Sequence, residues 1–330
     1  MNAIECETEL AAILTRMYRR PQFDIITDGF RPLSGMPADF CTVAHAGRHH
    51  FFYIERRLTE ATPFFPGNEI YFGHASTADL FAWEVHDPVL LIRPGTWEGA
   101  HVWAPFVLRH QERFVMAYTG VNDHLAQNLG LAVSHDLFCW ERLPSNPISP
   151  CRDRPWAAWR EDGIASCRDP HLLVQAGRVW MTYTATTRAG AACIALCSTP
   201  DLSAWDDHGP LLIGPADGYA VNPWGGHPQG KLESSCLVQR AGRWRLLVQF
   251  THRASGIRNW IFESDRMDRF AFEQGREFWP GAYTVEIVKE RGLEALLACS
   301  GPIRFGAVDW SAEWPVGRFL TRAELERWRD

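Results

Sequence analysis

No stretch of the 330 residues approaches the roughly 20 consecutive apolar residues that a membrane-spanning helix needs. A basic excess is missing as well. The 33 Lys and Arg stand against 39 Asp and Glu, a net charge of −6, so the electrostatic footprint of a nucleic-acid binder is lacking. A disulfide or zinc framework is equally hard to find: the nine cysteines are odd in number, and Cys193 and Cys197 form a lone C-x3-C with no second pair. Cys139, Cys193, Cys197, Cys236 and Cys299 fall in or beside strand-like runs, where a free thiol behaves as a small apolar residue. Neither a metal ligand set nor a cofactor motif emerges, and none is expected. The N-terminus carries Glu5, Glu7 and Glu9 where a secretion signal would be positive. Leu10, Ile13, Leu14 and Met17 follow helical spacing instead, so residues 1–35 read as an N-terminal helix and lead-in segment. The expectation is a reduced, cytoplasmic protein whose partners are neither nucleic acid nor membrane.

What the chain has is a repeat. Arg48, Arg113, Arg178 and Arg243 recur every 65 residues, preceded by Ala-Gly at 46–47, 176–177 and 241–242 or by Gln-Glu at 111–112. Each is followed by an apolar, aromatic run: HHFFYIE, FVMAYTG, VWMTYTA and WRLLVQF. A second signature, Asp-Leu-x-x-Trp, returns at Asp79–Trp83, Asp136–Trp140 and Asp201–Trp205. A shorter fifth copy is readable at 283–300, with Gly292 at the turn. One small sheet cannot bury both its faces, so strands at a fixed period imply a radial β array. Five units predict an all-β, five-bladed β-propeller over residues 36–330, with the first strand of each blade lining a central funnel.

The repeat also aligns acids. Counting back nine residues from the repeating arginine gives Asp39, Ala104 and Asp169; in the fourth unit, read as one residue longer, Glu233 stands ten back. Inner-strand starts converge on one mouth of a propeller, so three carboxyl groups far apart in sequence should share a pocket. Like charges held together raise the pKa of at least one of them, so that it keeps a proton near neutrality. An ionised carboxylate beside a protonated carboxyl group is the equipment for cleaving a glycosidic bond.

Four segments carry a resemblance. They are Gly73-His74-Ala75-Ser76 running on to Asp79-Leu80 and Trp83, Val102-Trp103-Ala104-Pro105, Arg168-Asp169-Pro170, and Glu233 opening the fourth unit. Spread over residues 36–310, they resemble the five-bladed propeller glycoside hydrolases of families 32, 43 and 68, which act largely on fructosides, arabinosides and xylosides. The resemblance implies a glycoside hydrolase for a small furanoside-type substrate. It implies Asp39 as nucleophile or general base, Asp169 as the group that orients substrate and tunes a neighbour's pKa, and Glu233 as general acid. Two departures stand out: Asp39 is followed by Phe-Cys-Thr rather than a proline, and Glu233 by Ser-Ser. Asp28, in ITDGFRP, is the alternative to Asp39. The alternative functions are a sugar-binding propeller without catalysis and a propeller enzyme acting on a small glycosylated metabolite.

Further candidates for substrate contact follow from position. Arg168, next to Asp169, could bind substrate hydroxyls or hold Asp169 by a charge-assisted bond, or else tie two blades together. Trp103 precedes the inner-strand position of the second unit, where its ring could stack on a sugar. His74 and His101 lie near blade connections at the expected pocket face. Trp224 and His227 belong to the Gly- and Pro-rich segment 217–231, which leads directly into Glu233. The tryptophans of the Asp-Leu-x-x-Trp repeats are expected to be structural, because they recur in units that need no substrate contact. Glu286 is a possible fourth pocket acid.

Overall fold

The computed structural model describes residues 30, 35–57, 69–79, 81–163, 165–215, 231–240, 242–252, 256–280, 282, 284–290, 293–299, 303–311 and 314–329. The segment expected to form the N-terminal helix, together with Asp28, Trp224 and His227, lies outside the described residues.

The chain folds as an all-β propeller of five four-stranded antiparallel sheets, each laid down in sequence order. The first holds β1 (Gly35–His45), β2 (Arg48–Arg57), β3 (Phe72–Thr77) and β4 (Trp83–Val89). The second holds β5 (His101–His110), β6 (Arg113–Val121), β7 (Gln127–Ser134) and the short β8 (Glu141–Arg142). The third holds β9 (Cys167–Gln175), β10 (Arg178–Thr186), β11 (Ala192–Thr199) and β12 (Asp206–Ile213). The fourth holds β13 (Lys231–Arg240), β14 (Arg243–His252), β15 (Gly256–Ser264) and β16 (Arg276–Trp279). The fifth holds β17 (Val285–Glu290), β18 (Leu293–Cys299), β19 (Ile303–Val308) and β20 (Gly317–Phe319). A helix, α1 (Arg322–Arg329), follows.

The repeated sequence signatures make the turns of this design. Ala46 and Gly47 (φ 48° and 75°), like Ala176 and Gly177 (φ 50° and 73°), form two-residue hairpin turns with positive φ at both positions. The arginine that follows starts the second strand and reaches across the sheet. Arg48 donates to Ser76 Oγ at 2.9 Å and pairs with Glu84 at 3.1 Å; Arg178 repeats this with Ser198 and Asp206. In each Asp-Leu-x-x-Trp unit the carboxylate caps a turn. Asp79 accepts from the Phe81 and Ala82 amides, and Asp136 from those of Phe138 and Cys139. Trp83 is fully buried, and Trp140 and Trp205 pack against core clusters, as their recurrence predicts.

Middle strands are buried on both faces because a neighbouring sheet covers each one; β6 and β11 are almost continuously buried, whereas β4 and β12 alternate at the rim. Apolar clusters join the first sheet to the second, the second to the third, the third to the fourth and the fourth to the fifth. A further cluster joins the fifth to the first, through Ile303 and Phe305 against Phe51, Tyr53 and Trp83. Phe30 lies in that seam and exchanges backbone hydrogen bonds of 2.9 Å with Ile303.

Candidate active site

One irregularity, repeated four times, builds the site. The register shifts between Pro37 and Phe40 in β1, Trp103 and Phe106 in β5, and Glu233 and Cys236 in β13; in β9 it shifts opposite Thr182 and Thr184, between Arg168 and His171. Ala104, Asp169 and Ser234 take positive φ at these bulges (47°, 56° and 51°). A bulge re-aims side chains at a sheet rim, so two successive residues can be presented there. Such backbone carries strain of about 1–3 kcal/mol per residue. Ala104 shows that this conformation belongs to the blade design and is not confined to the charged positions.

The bulges correct two alignments: Asp39, the second residue of its bulge, is the counterpart of Pro105 and Pro170 rather than of Asp169. The fourth unit is not longer than the others: Glu233 pairs with Gln249 just as Arg168 pairs with Thr184 and Trp103 with Thr119. Glu233 is therefore the counterpart of Arg168, and Ser234 is the counterpart of Asp169. Counting from the turn treated strand residues as evenly paired, and a bulge breaks that pairing.

The three acids nevertheless meet, linked by two residues between them. Ser234 donates its Oγ hydrogen to Asp39 Oδ1 at 3.0 Å and its backbone N–H to Asp169 Oδ2 at 3.2 Å. Arg168 lies between the other two carboxyl groups, with Nε 3.4 Å from Asp169 Oδ2 and Nη2 donating to Glu233 Oε2 at 2.8 Å. Gln249 donates to Glu233 Oε1 at 2.6 Å, and Thr284, at the start of the fifth sheet, donates to Asp39 Oδ1. Asp169 is otherwise fixed by its N–H on Thr119 Oγ1 at 3.0 Å. Arg168 thus joins the third sheet to the fourth and contacts Asp169 as well.

Electrostatics separate the carboxyl groups. Burial pushes Asp169 up to about 8; Arg168 opposes the shift, while the charges of Asp39 and Glu233 add to it. Burial thus favours the protonated form of Asp169, while Asp39 and Glu233 are only partly buried. Glu286 is also raised well above the ordinary carboxylate range, first by burial and then by Asp39. It lies with His171 and Cys236, all three buried, with donor atoms within 4.8 Å of one another. The sequence reading found no such group of metal-ligating side chains; the three come from the inner strands of three sheets.

Of the other candidates, Trp103 sits at the position held by Arg168 and Glu233 in their sheets, half-buried, with its indole Nε1 lacking a hydrogen-bond partner among the described residues. His101 stacks against it at 5.4 Å. His74 does not join them. It lies on β3, two strands out from the inner strand and so roughly 10 Å from it, in a cluster with His50 and His86. Ser234, Thr284 and Gln249 were missed. Ser234 was within reach, since it stands 65 residues after Asp169.

Residues 37–221 match the family described as Glycosyl hydrolases family 32 N-terminal domain. No curated protein sequence matches the chain. Among solved structures, the Bombyx mori GH32 beta-fructofuranosidase BmSUC1 is similar at 17% identity and a TM-score of 0.63, over 92% of this chain and 66% of that one. Sucrose-6-phosphate hydrolase from Lactobacillus gasseri gives 15% identity and a TM-score of 0.66, over 92% and 64%. The endo-arabinase from Bacteroides thetaiotaomicron gives 13% and 0.64, over 92% and 98%. The chain thus spans about two thirds of the fructosidases that it resembles and nearly all of the arabinanase.

Proposed function

Because the chain belongs to the Glycosyl hydrolases family 32 N-terminal domain family, we propose that it is a glycoside hydrolase acting on a small furanoside, and that its five sheets serve as the five blades around the reaction centre. The observation that carries the reading is the chain of contacts Asp39–Ser234–Asp169–Arg168–Glu233 across three sheets. Asp39 acts as nucleophile or general base, held in place by the hydroxyl groups of Ser234 and Thr284, which both donate to it. Glu233 acts as general acid, protonating the leaving oxygen as the bond to the anomeric carbon breaks. Arg168 and Gln249 hold its carboxyl group in place. Asp169, buried and shifted towards its protonated form, hydrogen-bonds a sugar hydroxyl and orients the ring. Trp103 offers a half-buried ring face for stacking. The named activities of the similar structures, on fructosides and arabinan, support a furanose in this pocket. We place the enzyme in the cytoplasm; recovery of the native protein from the culture medium would refute that part.

The test uses nitrophenyl furanosides, with their good leaving groups, and natural oligosaccharides of the same sugar, whose leaving groups are poor. Glu233→Gln should lower turnover on the oligosaccharides by about 10²–10⁴-fold and much less on nitrophenyl glycosides, which need little protonation. The same pattern in Asp169→Asn, with Glu233→Gln unaffected, would move the acid to Asp169. Sugar binding without hydrolysis of any substrate by the wild type would replace the enzyme with a sugar-binding propeller.

A further inference from the structure

Outside the acid site, the first sheet gathers three histidines on one face. His50 on β2, His74 on β3 and His86 on β4 lie side by side across adjacent strands, His74 opposite both Phe52 and His86. Each supplies one ring nitrogen, and these nitrogens all lie within 4.8 Å of one another. His50 Nδ1 and His74 Nε2 are 2.9 Å apart, while His74 Nδ1 is buried with no hydrogen-bond partner among the described residues. His50 and His74 are buried and His86 is half-buried, which leaves a way in from the rim. Phe52 stacks on His74 at 4.5 Å, and Phe138, from the turn after β7, stands 5.0–5.7 Å from all three rings.

The repeat supplies a comparison inside the chain. The third sheet reproduces the surroundings: His208 meets Ser198 at 2.9 Å as His86 meets Ser76 at 2.7 Å, with Arg178 and Asp206 where the first sheet has Arg48 and Glu84. At the position of His50, however, the second, third and fourth sheets carry Val115, Trp180 and Arg245. At that of His74 they carry Leu131, Leu196 and Ile261, all fully buried. The architecture is therefore content with an aliphatic side chain there. A buried imidazole with an unsatisfied nitrogen costs about 1–3 kcal/mol unless a partner satisfies it.

We propose that His50, His74 and His86 form a binding site for a divalent transition-metal ion of the zinc class. Three neutral imidazoles suit zinc. A Zn–N distance of about 2.0–2.1 Å in tetrahedral geometry puts the nitrogens about 3.3 Å from one another, inside the 4.8 Å within which all three lie here. Water fills the fourth position on the side that His86 leaves open. Ser76, bonded to His86, orients that ring. The nearby positive charge of Arg48 is answered by Glu84 at 3.1 Å. The ion ties the outermost strand of the first sheet to the next two strands inward, away from the acid site and independent of the glycosidase reading.

The experiment titrates the full chain, stripped with EDTA, with zinc sulfate by calorimetry and follows its melting. One equivalent should bind and raise the melting temperature. His86→Ala, at the half-exposed edge, should weaken binding at least tenfold. His74→Leu restores the residue of the other sheets; it should abolish binding and melt higher than the metal-free wild type. Cys236→Ser should bind as the wild type does, and Co²⁺ in place of zinc should show tetrahedral absorbance with no thiolate charge-transfer band. Three results would each overturn the site: no binding, binding unchanged in His86→Ala and His74→Leu, or a thiolate band that disappears in Cys236→Ser.

Discussion

Asp169 is the residue at which burial and charge conflict most sharply. Arg168 lies 3.4 Å away and favours the carboxylate, but burial wins and holds the group at about 8. The sign of the pH effect follows. From about pH 4, where an unfolded aspartate loses its proton, up to about 8, the fold holds a proton that the unfolded chain has released. The stability due to this group is therefore fully present at acid pH and lost as pH rises to about 8. His50 and His171, lowered to about 4 and about 3 by burial first of all, slope the other way: their contribution is present above the ordinary histidine range and lost as pH falls below it. Only a difference between two proteins isolates Asp169. The melting temperature of Asp169→Asn minus that of wild type should grow between pH 5 and pH 8; a flat difference would mean that the buried carboxyl is ionised throughout. At this scale much could be read in the sequence. Asp39, Asp169 and Glu233 stand out from the repeat, and the structure brings them together through Ser234 and Arg168. Two of the links do not stand out: Ser234 lay hidden behind its acidic neighbour, and Thr284 belongs to the unit whose repeat is weakest.

At the scale of elements, the repeat translated directly into hairpins, because its most constant residues are those that the turns require. Ala-Gly fits two successive positive φ angles, and the following arginine crosses the sheet to a serine and an acid. Asp-Leu-x-x-Trp is a turn cap followed by a packing anchor. Asp136→Ala removes the acceptor of the Phe138 and Cys139 amides, at 2.8 Å each, and should cost about 0.5–1.5 kcal/mol for each hydrogen bond lost. Urea unfolding measures that loss. Turnover at a temperature where both proteins are folded should be unchanged, since the turn lies outside the acid site, and a large fall in turnover would give the motif a role in the reaction. The bulges escaped the sequence reading for a physical reason. They arise where backbone must bend at the funnel rim, and proline, which inside a strand points to a bulge, stands in only two of the four, as Pro105 and Pro170.

For the whole molecule, the period specified a ring, but not how the ring shuts. Closure rests on an apolar seam between the first and fifth sheets, and Phe30 enters it from the lead-in segment that carries no repeat. Its ring stacks on Trp83 at 4.4 Å and meets Tyr53 edge-on at 5.4 Å, while its backbone extends the fifth sheet at Ile303. A segment outside the period contributes no signal to a repeat alignment, which is why the sequence left residues 1–35 apart from the propeller. Phe30→Ala should therefore cost about 3–5 kcal/mol, the range for emptying a fully packed aromatic site, although the residue touches none of the acids. A propeller transmits such a loss around the ring, because each sheet buries its faces only against its neighbours. Denaturant unfolding should show one cooperative transition at a lower midpoint. If the variant instead lost less than about 1 kcal/mol, the contacts of Ile303 and Phe305 with Phe51, Tyr53 and Trp83 would suffice to close the ring.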